Sequence, residues 1–312
     1  MGRKPISIAT LVGTAVLGGA LGACKTQPTP APSPSTSTTL ASATAAPTKP
    51  ANAVPISSAS VMAAVNPQGL PPYAGPTGAV EGTIYVSGDP APPQMGQAFD
   101  GCATAASVYG KQFREGAPLA DGRRPLGDAM VGITGYSGFY LPEGKDSQKI
   151  TIDGCAFSQR TIVLTLGQAL EVQKLSNDVF APELENQPAP ALMMAAPKSD
   201  PVRLYASRVG RYRVIERTKH PWMEADLFVI GHPLHAVTDM TGHFRIDGVP
   251  VGKLTVGAIH PFIVSSLDGG QQQDVRKEID VQSGVVTKVE LTIPYAKVAP
   301  RPPTLDHKPI LP

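Results

Sequence analysis

Ala236-Val237-Thr238-Asp239-Met240-Thr241-Gly242-His243-Phe244-Arg245-Ile246-Asp247-Gly248-Val249-Pro250-Val251-Gly252-Lys253-Leu254-Thr255-Val256 is the stretch that decides the fold. Asp239 and Gly242 have the chemistry of a tight hairpin turn. Phe244 and Ile246 then recur at a spacing of two, as side chains on one face of a strand do. Gly248 to Gly252 reads as a second turn, after which Leu254 and Val256 resume the inward face. A hairpin, a second turn and inward side chains on alternate positions make this part of the chain read as β.

The same rhythm extends in both directions. Before it, strands are expected at Val80–Val86, Ala129–Ile133, Lys149–Ile152, Thr161–Leu166, Leu170–Gln173, Val202–Ala206, Gly210–Ile215 and Asp226–Ile230. Within and after it they are expected at Ala236–Thr238, His243–Ile246, Lys253–Ile259, Lys277–Val281 and Val285–Ile293. Short strands with Gly, Pro, Asp or Asn in most gaps indicate sandwiches or barrels. The 33 prolines and 31 glycines agree with that. Short helices are expected at Ser57–Val65 and Cys102–Phe113. Residues 28–50 are so rich in Pro, Ala, Ser and Thr that they cannot bury enough apolar surface to order themselves. They read as the extreme part of a disordered tether over residues 24–77.

At the N-terminus, Arg3 and Lys4 precede an apolar run from Ile6 to Leu21, the layout of an export signal. Leu21-Gly22-Ala23-Cys24 resembles a bacterial lipobox. That resemblance implies removal of residues 1–23, lipid on Cys24, palmitate among its chains, and attachment to a membrane of the cell envelope. Lys25 in place of an aspartate implies the outer membrane. Two or three acyl chains on one residue anchor durably, whereas one does not. Three cysteines occur in the chain. With Cys24 lipidated, Cys102 and Cys155 suit a disulfide in an oxidising compartment, worth about 4 kcal/mol in the chain-entropy account; two free thiols are the alternative.

Two further resemblances set the architecture. Gly154-Cys155-Ala156-Phe157, Thr161 to Val172 and Lys219-His220-Pro221-Trp222-Met223 are similar to a cupredoxin-like family of exported proteins. The opening stretch resembles a carboxypeptidase regulatory-like, prealbumin-type sandwich unit. The expectation is thus an all-β chain. A cupredoxin-like Greek-key β-sandwich over residues 78–230 is packed on or followed by a small prealbumin-like β-sandwich over 231–296, with a Pro-rich tail at 297–312.

A blue-copper site needs two imidazoles and a thiolate in a trigonal plane with a weak axial thioether. His220 and Met223 match one imidazole and the thioether of the family motif. Arg217 stands at the thiolate position, and Phe180 stands where the upstream histidine falls. The expectation is a scaffold without cofactor. A copper site of unusual make-up at His220 and Met223 is the alternative to a plain turn plugged by Trp222.

Other polar groups carry weaker signals. His232 and His235, with His260, have the residue types of a zinc site or of ordinary turn and strand groups. Met193-Met194 reads as soft ligands or an apolar plug. Arg203, Arg208, Arg211, Arg213, Arg217 and Lys219 form a basic stretch suited to an anionic cell-surface polymer or to a solvated strand face. Glu224 and Asp226 near His220 suit an acid–base group or solvated carboxylates. A net charge of +2 argues against nucleic acid. No hydrolase elbow, metalloprotease helix, phosphate loop or dinucleotide motif is present. The expected role is therefore a lipid-anchored, non-catalytic binding or structural module, partnered by the membrane and another envelope protein or polymer. The alternative is periplasmic electron transfer or copper binding.

Overall fold

The computed structural model describes residues 55–94, 99, 101–140, 147–185, 200–216, 220–264 and 272–297. The expectations for the signal, Cys24, Met193-Met194, Arg217, Lys219 and residues 298–312 lie outside them. Among the described residues the chain forms two helices and sixteen strands. The helices are α1 (Ser58–Val65) and α2 (Ala103–Tyr109). The first strands are β1 (Thr77–Gly88), β2 (Arg124–Pro125), β3 (Met130–Thr134), β4 (Ser147–Asp153), β5 (Ala156–Phe157), β6 (Thr161–Thr165), β7 (Ala169–Lys174) and β8 (Pro182–Leu184). Then come β9 (Val202–Leu204), β10 (Gly210–Glu216), β11 (Glu224–Ile230), β12 (His235–Val237), β13 (His243–Pro250), β14 (Gly252–Val264), β15 (Gln272–Val281) and β16 (Val286–Tyr295). The chain is all-β, as its turn spacing predicts.

The turns form, but not as hairpins: β12 pairs with β3, β13 with β1, and β14 with β3 and β15, so each turn carries the chain from one sheet to the other. Asp239 Oδ1 accepts from the backbone N–H groups of Thr241 (2.8 Å) and His243 (3.1 Å), and Gly242 takes φ +75°. Phe244, Ile246, Leu254 and Val256 are all buried in one core. Three short strands escape the pattern: β2, β5 and β8 have two or three residues each, too few for a period.

Four sheets make two sandwiches. In the first, β13-β1-β16, with β2 also on β1, faces β12-β3-β14-β15. Their shared core includes Val80, Ile84, Val131, Ile133, Phe244, Val256, Val281 and Ile293. In the second, β5-β4-β7-β9 faces β6-β11-β10-β8 around Ile150, Phe157, Leu164, Leu170, Phe180, Leu204, Val214 and Leu227.

This pairing corrects the expected division at residue 230. β1 runs parallel to β16 from Ala79↔Val286 to Gly88↔Tyr295, and antiparallel to β13. β3 lies between β12 and β14. β1, β2 and β3 therefore share a core with β12 to β16, and the stretch 147–230 is inserted between β3 and β12, while α2, which lies between β1 and β2, packs with that insert through Cys102, Ala105 and Tyr109. The physical reason is that periodicity marks a strand and its inward face but not its partner, and here the partners lie some two hundred residues apart. A second correction concerns the tether. Residues 55–77, placed within the disordered tether, are ordered: α1 forms where the short helix at Ser57–Val65 is expected, Ile56 ahead of it and Val65 at its end pack on the second core, and Tyr73 stacks on Tyr140 at 4.8 Å. These few larger apolar side chains supply the burial that residues 28–50 lack.

The sandwiches meet at buried charge. Arg114 grips Asp128 through two bonds of 2.6 Å, and the Arg160 N–H donates to Asp128 Oδ1 at 3.2 Å. Asp128 is buried in a left-handed conformation at φ +61°. Arg160, also buried, donates to the carbonyls of Lys111 (2.9 Å) and Gln112 (3.0 Å) and lies 3.9 Å over the Phe262 ring.

Candidate functional site

The turn from β10 to β11 holds the residues of the family motif. Trp222 donates from Nε1 to the carbonyl of Cys155 at 3.0 Å and meets Phe99 edge-on at 5.6 Å. Cys155 and Cys102 stand at disulfide distance, with Cα atoms 6.1 Å apart. Trp222 thus ties the turn to the cysteine pair and to the start of α2. Met223 is 1% exposed, with its thioether among core side chains. The turn closes where the Met223 N–H donates to the His220 carbonyl at 2.9 Å.

Phe180 lies where its spacing from Val172 predicts. It is fully buried, with its ring centroid 5.9 Å from that of His220, and Trp222 flanks His220 on another side at 5.1 Å. Buried Glu216 accepts the N–H groups of Ala181 (3.1 Å) and His220 (3.2 Å), binding the Phe180 strand entry to the His220 turn. His220 Nδ1 is buried without a hydrogen-bond partner among the described residues. One imidazole nitrogen and one thioether are therefore at hand, but an aromatic ring stands beside them in place of a second imidazole. The chain's cysteines other than Cys24 are committed to each other at disulfide distance. This donor set does not fit a blue-copper centre, which requires a thiolate and two imidazoles.

The other histidines are not brought together. Among the described residues, no three His, Cys, Asp or Glu side chains are placed to hold a metal ion. His235 Nε2 bonds the Thr165 hydroxyl at 3.2 Å, and burial beside His232 pushes its imidazole down to about 4. His232 stands edge-on to Tyr136 at 5.7 Å, and its own burial lowers it as well. His260 lies on the other side of β3 and is fully buried. Its Nε2 bonds the Gly127 carbonyl at 3.1 Å while its Nδ1 accepts from the Phe262 N–H at 3.2 Å, and burial drives it down to about 4.

The basic stretch becomes a ladder of ion pairs. Arg203 bonds Glu171 at 2.6 Å, Arg211 bonds Asp226 at 2.6 Å, and Arg213 reaches both Glu224 and Glu185. Glu224 and Asp226 are thereby drawn to arginines of their own sheet, not into an acid–base group with His220. The Arg114–Asp128–Arg160 junction was not anticipated. Its residues are spread over nearly fifty positions and follow no motif, and the only local cue is Gly127 before Asp128.

No protein-family profile matches this chain, and no curated protein matches it. Among solved structures, it is similar to a reduced amicyanin point mutant (TM-score 0.22, 15% identity, covering 32% of this chain and 97% of that one). It is likewise similar to amicyanin from Paracoccus versutus (TM-score 0.23, 14% identity, 32% of this chain and 96% of that one), and to a second reduced amicyanin mutant (TM-score 0.22, 16% identity, 32% and 97%).

Proposed function

We propose that this protein is a lipid-anchored, non-catalytic β-sandwich module of the cell envelope, carried on Cys24, that binds or props another envelope component. In this reading a cupredoxin-like frame persists without its metal centre. The observation that carries it is Phe180, a fully buried ring 5.9 Å from His220 at the place of the second imidazole. The lipobox-like Leu21-Gly22-Ala23-Cys24 supports the anchor, and Lys25 after it supports the outer-membrane location. Cys102 and Cys155, at disulfide distance, suit an oxidising compartment.

The full chain, expressed in a bacterium fed radiolabelled palmitate and extracted in detergent, tests both halves. Label is expected on the wild type and not on Cys24→Ala. The purified protein is expected to carry no stoichiometric copper and to show no visible absorption. Copper at one ion per chain would overturn the reading.

A second reading is favoured by the orphaned His220 Nδ1. It makes the chain a copper-binding protein with an unusual His220 and Met223 site. It requires copper that co-purifies and is released by both His220→Ala and Met223→Ala.

A further inference from the structure

A cavity of about 300 Å³, at the lower end of the size range of small-ligand sites, lies on the outer face of β3 and β14. Val131, Ile133, Val256 and Ala258 point into the first core, so Gly132 and Gly257 between them look outward. The two glycines stand opposite each other in the β3–β14 ladder and make the floor of the cavity. Glycine weakens the interior of a strand, and there it often marks the close approach of a ligand or another backbone. Nothing in the chain calls for it at these two positions. Neither glycine takes a positive φ. Among the described residues, a Cβ on Gly132 would meet nothing within 4 Å, and one on Gly257 nothing nearer than 3.7 Å. Met130 and Ile259, paired on the same face, border the floor, and Ile230 and His232 of the stretch leading to β12 line it as well. Arg276 stands opposite Gly257 on β15 and pairs with Asp274 at 2.5 Å, and burial holds the His232 imidazole uncharged at neutral pH. The lining therefore has no charge left unpaired. It does hold a polar atom still to be satisfied, since His232 Nδ1 is buried with no hydrogen-bond partner among the described residues.

We propose that this cavity binds a flat, uncharged bicyclic compound that lies on the bare Gly132–Gly257 backbone and carries an oxygen for His232. A flat ring touches the peptide planes over its whole face, whereas a puckered one touches them at a few hydrogens and forfeits most of that dispersion contact. The floor spans two strands about 4.8 Å apart, which two fused rings cover and a single ring does not. A charged ligand is disfavoured, because Asp274 and Arg276 already answer each other. A saccharide is disfavoured, because Met130, Ile230 and Ile259 would face its hydroxyls. The cavity is separate from Cys24 and from the His220 turn. Failure of this proposal would leave palmitate labelling and copper content untouched, so it is told apart from failure of the proposed function.

The test is equilibrium dialysis of coumarin against the full chain in detergent micelles, with the same micelles free of protein as the blank. Coumarin is flat, uncharged and bicyclic, and it carries a carbonyl. Octahydrocoumarin keeps the size and the carbonyl but is puckered, and coumarin-3-carboxylate adds a charge. One coumarin per chain is expected, with both analogues bound more weakly. Gly132→Ala and Gly257→Ala crowd no atom of the chain, so both should keep the wild-type thermal midpoint. Each should nonetheless bind coumarin at least about fivefold more weakly, the low end of what an added methyl does in a filled site. His232→Phe keeps a ring on the wall and should weaken coumarin at least about twofold, the scale of one neutral hydrogen bond. No binding of coumarin, equal binding of octahydrocoumarin, tighter binding of the carboxylate, or an unchanged affinity in either glycine variant or in His232→Phe would each overturn the proposal. So would coumarin that binds Cys24→Ala but not the wild type, since the chain's own acyl group would then be the occupant.

Discussion

Asp128 is 3% exposed, and its carboxylate accepts from the Arg114 guanidinium and from the backbone N–H of Arg160, groups from different parts of the chain. Removing one partner of a buried pair leaves an uncompensated charge and costs about 3–5 kcal/mol. Asparagine tolerates the left-handed backbone found there, so Asp128→Asn isolates the charge from the conformation. Urea unfolding should show a loss of that size; a loss under about 1 kcal/mol would mean that water reaches Arg114 and Arg160. Phe180 makes a parallel case at the other core. If its ring is a core residue, Phe180→Ala costs about 3–5 kcal/mol, as large buried aromatics do, and leaves metal content unchanged. A stable Phe180→Ala variant that takes up copper would show the ring to be a cover over a working site. Phe180 was legible because the spacing from Val172 is local. Asp128 was not, because what makes it matter is assembled from Arg114 and Arg160 in three dimensions.

Strands show where local rules stop. All thirteen expected strands form, since alternation and turn chemistry reside within five to ten residues of sequence. Which strands pair is settled elsewhere. Gly82 in β1 illustrates this: a methyl group on it would overlap the carbonyl oxygen of Val289 in β16, so the parallel β1–β16 ladder depends on a bare backbone there. Gly257 in β14 also lies in mid-strand, but a Cβ there would meet nothing nearer than 3.7 Å. Gly82→Ala should therefore destabilise by about 3 kcal/mol or more, at the strained end of point mutations, while Gly257→Ala should stay within about 0.5 kcal/mol of wild type. Thermal unfolding of the two variants side by side checks this. Similar losses in both would mean that β1 and β16 can separate without cost. From sequence these two glycines look alike. The candidate site divides in the same way: the His220 turn was readable, whereas the arginine ladder needed Asp226, Glu224 and Glu185 brought within reach of its members by the pairing of β10 with β11 and β8.

At the scale of the whole molecule, the insertion of 147–230 into the first sandwich makes the junction a place where polar groups of both halves are trapped away from water. His235 bonds Thr165 of the second sandwich, and His260 sits beside the Asp128 cluster. Both imidazoles are held neutral, at about 4, mainly by burial, and His232 is lowered for the same reason. In the unfolded chain histidine takes up a proton near pH 6.5. Between about pH 6.5 and 4 the unfolded state therefore binds more protons than the folded one, and stability falls as pH is lowered through that window. His235 and His260 each contribute a slope approaching about 1.4 kcal/mol per pH unit, and His232 adds to it in the same direction. Carboxylates such as Glu81, held at about 2 by Lys288, His243 and Arg245, act lower, as pH drops beneath the usual carboxylate range. Urea unfolding at steps from pH 7 to 4.5 should show a steep loss in wild type. His260→Gln, whose amide can still donate to the Gly127 carbonyl, should be less stable at pH 7 but visibly shallower in slope. The carboxylates remain in that variant, so an unchanged slope would place the acid sensitivity with them and remove His260 from the account.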